Sequence, residues 1–151
     1  MTDQDIKNSI SEKALEYGTP SEYSELFDNL PGEFQRRFKE SSSERNFGLP
    51  IVKYGHPNGN WIIIGTKELA WKNDKLNFLP INLINRISVP DQERMRAIEI
   101  QPNRMIRKYE YEILRINTLH GDHYDIWLNK VTEYYGFWHM MIRYFRLIRE
   151  C

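Results

Sequence analysis

Two histidines three residues apart, His120 and His123, stand beside Asp122 and Asp125. Imidazole nitrogens with a carboxylate oxygen are a donor set that holds zinc or iron. His120, His123 and Asp125 therefore form a candidate metal site, the basis for a small metal-dependent enzyme. Gly121-Asp122 also reads as a turn, and turns favour these residues for backbone reasons alone. On that reading His120 precedes the turn, while His123 and Asp125 share a strand face beyond it. A second cluster is cationic: Arg104, Arg107 and Lys108, with Arg94 and Arg96 upstream. Guanidinium groups grip phosphate bidentately, so these three are candidate ligands for a phosphate, an anionic headgroup or an acidic peptide. The same charges can instead protect a solvated strand edge. A third set is aromatic. Trp127, Tyr135 and Tyr144 fall off the main apolar stripes and are candidate anchors for a partner interface.

Covalent catalysis finds little support. Ser41-Ser42-Ser43 lies outside any G-x-S-x-G context, and Cys151 is the single, terminal cysteine. Gly55 and Gly59 are not followed by the Lys-Ser/Thr of a phosphate loop. The pairs Glu22/Glu25 and Glu110/Glu112 read as exposed positions. We therefore expect no catalytic residue and no cofactor, and a protein that is not an enzyme. One cysteine also excludes an intramolecular disulfide and a cysteine-based zinc site.

The elements that must position these residues fit one domain. The chain has 151 residues, 13% of them aromatic, with 21 basic and 21 acidic side chains. A zero net charge argues against nucleic-acid binding over the whole surface. The charge is uneven, with 6 basic and 10 acidic residues in 1–50 and 15 and 11 in 51–151. There is no basic and apolar leader and no apolar run near the roughly 20 residues of a membrane span, so a cytoplasmic, non-membrane protein is expected.

Ile6, Ile10, Ala14 and Tyr17 predict a helix over 2–17, capped by Thr2 or Asp3 and stopped by Gly18. Tyr23, Leu26, Phe27 and Leu30 predict a second helix, and Phe34 and Phe38 a third that starts after Pro31. The stretch 46–60, with three glycines and two prolines, reads as a linker between an acidic arm over 1–45 and a body over 61–151. About seven strands are expected in the body, at 61–64, 68–72, 75–79, 81–89, 97–100, 108–116 and 123–128. Tyr134, Phe137, Trp138, Met141, Phe145 and Ile148 then predict an amphipathic C-terminal helix. Gly136 marks its close approach to the sheet.

Trp61-Ile62-Ile63-Ile64-Gly65-Thr66-Lys67-Glu68-Leu69-Ala70-Trp71 resembles the hairpin that opens GRAM and bacterial PH-like domains. Ile81-Asn82-Leu83-Ile84-Asn85-Arg86-Ile87 is similar to a later strand of those families. Tyr124-Asp125-Ile126-Trp127-Leu128 leads, as there, into a helix that begins near Glu133. The resemblance covers about residues 60–150. It implies an α+β protein: a helical arm, then a PH-like antiparallel barrel of about seven strands capped by the C-terminal helix. The function expected is a non-enzymatic binding module for a protein or peptide partner. One version is a bacterial immunity-type or regulatory protein that masks another protein. The alternatives are an adaptor for anionic phospholipid or phosphate, using Arg104, Arg107 and Lys108, and the metal-dependent enzyme above.

Overall fold

The computed structural model describes residues 1–100 and 110–149. Helix α1 spans Asp3–Glu16. The Thr2 hydroxyl accepts from the Asp5 amide at 3.1 Å, and the Asp5 carboxylate accepts from the Thr2 amide at 2.8 Å. This reciprocal capping satisfies two amides at the helix start. It also holds the Asp5 carboxyl below its usual range. Ile10 and Ala14 are buried, as their spacing predicts.

The second expected helix does not form. Ser24–Leu26 is strand β1, and Phe27–Asn29 is a single 3₁₀ turn. Pairing of Ser24, Glu25 and Leu26 with Tyr54, Lys53 and Val52 takes the backbone that a helix would use. Helix α2, Gly32–Ser41, follows Pro31 as expected. The expected linker is a further correction: Pro50–Gly55 is strand β2. Its proline stands at the first strand position and its glycine at the last, where each is tolerated.

Strands β3 (Trp61–Gly65), β4 (Glu68–Lys72) and β5 (Leu76–Pro80) complete a five-stranded antiparallel sheet in the order β1-β2-β3-β4-β5. Strands β6 (Ile84–Ser88), β7 (Ile113–Thr118) and β8 (His123–Trp127) form a separate three-stranded sheet. The fold is α+β, but its ladders are two open sheets rather than one closed barrel of about seven strands. Two strand expectations also shift. Residues 97–100 belong to helix α3, Asp91–Ile100, which starts after Pro90 with Asp91 and Glu93 in its first turn. The strand expected over 108–116 begins only at Ile113, and Lys108 and Tyr109 lie outside the described residues.

Helix α4, Thr132–Arg149, buries Tyr134, Phe137, Met140, Met141, Tyr144 and Leu147. The stripe therefore turns slightly from the expected one, and Ile148 is exposed. One face of the large sheet shares a core with α1, α4 and the small sheet, through Val52, Tyr54, Ile62, Ile64, Leu114, Ile116 and Ile126. The other face carries Ile63 and Ala70 under Phe27, Phe38 and Phe47. No helix among the described residues is long and apolar enough to cross a membrane.

Two contacts on this sheet are measurable. A Cβ at Gly65 would lie 2.3 Å from the Phe47 ring, so Gly65→Ala is expected to lower unfolding free energy by about 1–3 kcal/mol. Among the described residues the buried Tyr54 hydroxyl meets no partner at hydrogen-bond geometry, with the Thr19 side chain its polar neighbour, and burial pushes its pKa up. An unpartnered buried hydroxyl costs about 1–3 kcal/mol, so Tyr54→Phe is expected to stabilise. The phenol stays protonated in the fold but ionises in the unfolded chain, so wild-type stability falls relative to Tyr54→Phe as pH rises past the ordinary value of 10. Urea unfolding near neutral pH and near pH 11 (roughly one unit above that value) reads both effects.

Candidate functional site

Those of the residues singled out by type that the structure describes do not come together. His120 is exposed in the turn after β7, and His123 is exposed at the start of β8. Asp125 is engaged elsewhere, accepting from the Arg115 guanidinium at 2.8 and 3.2 Å. No group of three or more His, Cys, Asp or Glu among the described residues is arranged to hold a metal ion. Arg104, Arg107 and Lys108 lie outside the described residues. Upstream, Arg96 is tied to Glu93, whose other carboxylate oxygen accepts the Glu112 and Ile113 amides. Of the aromatic set, Trp127 is half-exposed with its ring 5.2 Å from that of His56. Tyr135 is half-buried, edge-on to Tyr134. Tyr144 is buried and donates to the Thr66 carbonyl, so it is no surface anchor. Burial pushes its phenol up to about 12.

The structure instead assembles a site on the face of the large sheet that α2 covers. Directly opposed residues of antiparallel strands share a face. Lys53 of β2 faces Glu25 of β1 on one side and Ile63 of β3 on the other. One row further along, Trp61 faces Lys72, which faces Leu76. Helix α2 lays Phe34 and Phe38 on this face, three to four residues apart on one stripe. Phe34 meets Trp61 edge-on at 5.4 Å, and Phe38 meets Phe27 at 5.5 Å and Phe47 at 5.1 Å.

Cations lie over these rings. The Lys53 ammonium is 4.7 Å from the centre of Phe34 and 6.0 Å from that of Trp61. Lys39 stands 5.8 Å over Phe27, and Arg45 stands 5.0 Å over Phe78. Each such contact contributes about 0.5–1 kcal/mol at exposed sites. Arg45 also holds the buried Glu68 carboxylate with two donors. Lys39, Lys53 and Lys72 have no carboxylate partner among the described residues. Loss of water around Lys53 pushes its ammonium pKa down.

Two clefts open on either side of Trp61. One, of about 410 Å³, runs between α2 and strands β3–β5; Phe34, Phe38, Trp61 and Leu76 line it, with Arg37 and Lys72 at the rim. Arg37 pairs with Glu33 at 2.9 Å, which leaves Lys72 as the unpaired charge. The other, of about 400 Å³, is bounded by Glu25, Leu30, Pro31, Lys53, Asn60 and Trp61. The first has apolar walls and a cationic rim, and no nucleophile–base pair lines it among the described residues. Phe34 and Phe38 are visible in the sequence as one helical face. Lys53 is not, because its strand lies within the expected linker; the alternation Val52-Lys53-Tyr54 was the available signal.

No family model matches the chain, and no curated protein matches it. Among solved structures it is similar to the C-terminal domain of an unknown protein from Leishmania infantum, at 11% identity and a TM-score of 0.42. That match covers 76% of this chain and 96% of the other.

The lowered Lys53 pKa sets a sign. The unfolded chain binds this proton more tightly than the fold does, so folding is opposed while Lys53 is charged. The opposition fades as pH rises through the folded pKa towards 10.5. Stability of the wild type relative to Lys53→Met is therefore expected to rise as pH climbs towards 10.5, as read by urea midpoints. A difference that stays flat over this window excludes the desolvated ammonium.

Proposed function

We propose that this chain is a non-enzymatic binding module for a protein or peptide partner, and that the groove between α2 and β3–β5 receives an acidic partner segment with an apolar anchor. The observation that carries this reading is the groove itself: aromatic and aliphatic walls around about 410 Å³, with Lys72 at the rim and, among the described residues, no carboxylate paired with it or lining the groove. Buried aromatic anchors dominate interface energies, and surrounding charge sets orientation and rate. A masking protein of the immunity or regulatory type works by such a surface, without turnover. Kinship with PH-like domains belongs to the same proposal. Eight antiparallel strands in two sheets among the described residues, and a long C-terminal helix on the core, support it.

Selection of displayed random peptides on the wild type is expected to enrich sequences with Asp or Glu beside an aromatic or aliphatic residue. In titrations of a selected peptide, Trp61→Ala and Lys72→Glu are each expected to weaken binding about tenfold or more. Added salt should weaken the wild type and leave Lys72→Glu less affected. Selected peptides that bind both variants unchanged overturn the assignment of the groove.

A further inference from the structure

The second cleft contains an ion pair that is held open. Glu25 and Lys53 face each other across β1 and β2, the arrangement in which opposite charges normally meet. Here they do not. The Glu25 carboxylate turns to accept the Leu26 amide at 2.9 Å, and the Lys53 ammonium rests on Phe34 and Trp61. Both side chains line the same cleft of about 400 Å³.

Several other polar groups around this cleft are committed. Nε2 of His56 faces the Glu112 carboxylate at 2.9 Å, and its Nδ1 accepts the Asn58 amide at 3.0 Å. The Ser21 hydroxyl donates to Glu133, and Ser24 is bonded to Ser21. The wall at Leu30 is fixed by the Gln35 side chain, which donates to the Leu30 carbonyl at 2.8 Å. The uncommitted charges are the Lys53 ammonium, one oxygen of Glu25 and the exposed Glu22 at the rim. Two negative charges and one positive disfavour a simple anion. They suit a ligand that carries both signs.

We infer that this cleft binds a small zwitterion of the α-amino-acid class, with its carboxylate on Lys53, its ammonium on Glu25 and an apolar side chain against Trp61, Leu30 and Pro31. This binding uses the side of Trp61 away from the peptide groove and does not depend on the partner reading. The open pair is the feature that selects for it. Each ligand charge meets a protein charge that has no ionic partner of its own, so no existing ion pair has to break on binding.

The test is an NMR titration of the full chain with L-phenylalanine, following the amides of Gly55, Gly59 and Asn60 and the Trp61 indole. N-acetyl-L-phenylalanine lacks the ammonium, and L-phenylalaninamide lacks the carboxylate. Saturable shifts with a Kd of about 0.1–10 mM are expected for the amino acid, and binding at least tenfold weaker for each derivative. Lys53→Met and Glu25→Gln should weaken the amino acid by a similar factor, while Lys72→Met leaves it unchanged. The derivative series uses the wild type alone, so it decides the matter even if a variant fails to fold. Equal binding of all three probes overturns the inference, and so does the absence of saturable shifts up to about 50 mM. Loss of binding in Lys72→Met places the ligand in the other groove and overturns it as well.

Discussion

The large sheet is too wide for the helix that covers its outer face. Five strands spaced about 4.8 Å apart span about 19 Å, while the ten residues of α2 make a helix about 15 Å long and roughly 10–12 Å across, less than this width in either direction. The uncovered remainder still has to exclude water. Phenylalanine rings and Trp61 do this, and the stems of Lys39, Lys53 and Arg45 lie across them with their charges on the ring faces. The clefts are the gaps left at the edges of this improvised cover. Gly65 leaves room for the Phe47 ring, and Ala70 lies in the cluster with Phe38 and Phe47; elsewhere the surface is aromatic and cationic. The chemistry of the site is thus a consequence of geometry in the fold.

The cleft walls are fixed by buried carboxylates. Glu133, almost fully buried, accepts the Tyr23 amide at 3.1 Å, the Asn129 side chain at 3.0 Å and the Ser21 hydroxyl. It thereby locks the entry to β1 against the start of α4. Glu68 receives two donors from Arg45, which pins the segment between α2 and β2 to the large sheet. Glu93 joins α3 to the start of β7 in the same way. Removing one partner from such a group leaves a buried charge uncompensated, which is far more costly than the net worth of the bonds. These contacts tie each loop to its neighbouring element, and those of Glu133 lie beside the cleft that Ser21 and Tyr23 line.

The sequence discloses elements whose signals are local. Thr2 and Asp5, the stripe Ile6-Ile10-Ala14, Phe34 with Phe38, and the Asn73-Asp74 turn each carry their structure within a few residues. The elements that depend on distant pairing stay hidden. Strand β1 has a helical pattern and becomes a strand because β2 offers it a ladder. Strand β2 is bracketed by the glycine and proline that usually announce a loop. Residues 97–100 have strand-like composition but lie inside a helix that Pro90 and Asp91 begin. The site follows the same rule. Its aromatic half was readable as one face of α2. Its charged half depended on recognising β2, since only the register places Lys53 opposite Glu25 and diagonal to Trp61.

The open state of the Glu25–Lys53 pair also has an energetic explanation. Closing a half-buried pair at the cleft surface, across two strands, contributes only on the order of 1 kcal/mol. Contacts between Lys53 and two ring faces contribute a similar amount, and they keep the lysine stem over apolar surface that would otherwise be wet. Glu25 gains a backbone amide donor by turning away. The two arrangements are therefore closely balanced, and small advantages on both strands keep the pair apart. A near balance of this kind has a functional consequence. A bound charge has to overcome only a weak competing interaction at each residue, so nearly all of its attraction to Lys53 or Glu25 counts towards binding. A closed, well-formed ion pair at the same positions would have opposed both ligand charges at once, and the cleft would then have been an inert hollow in the surface.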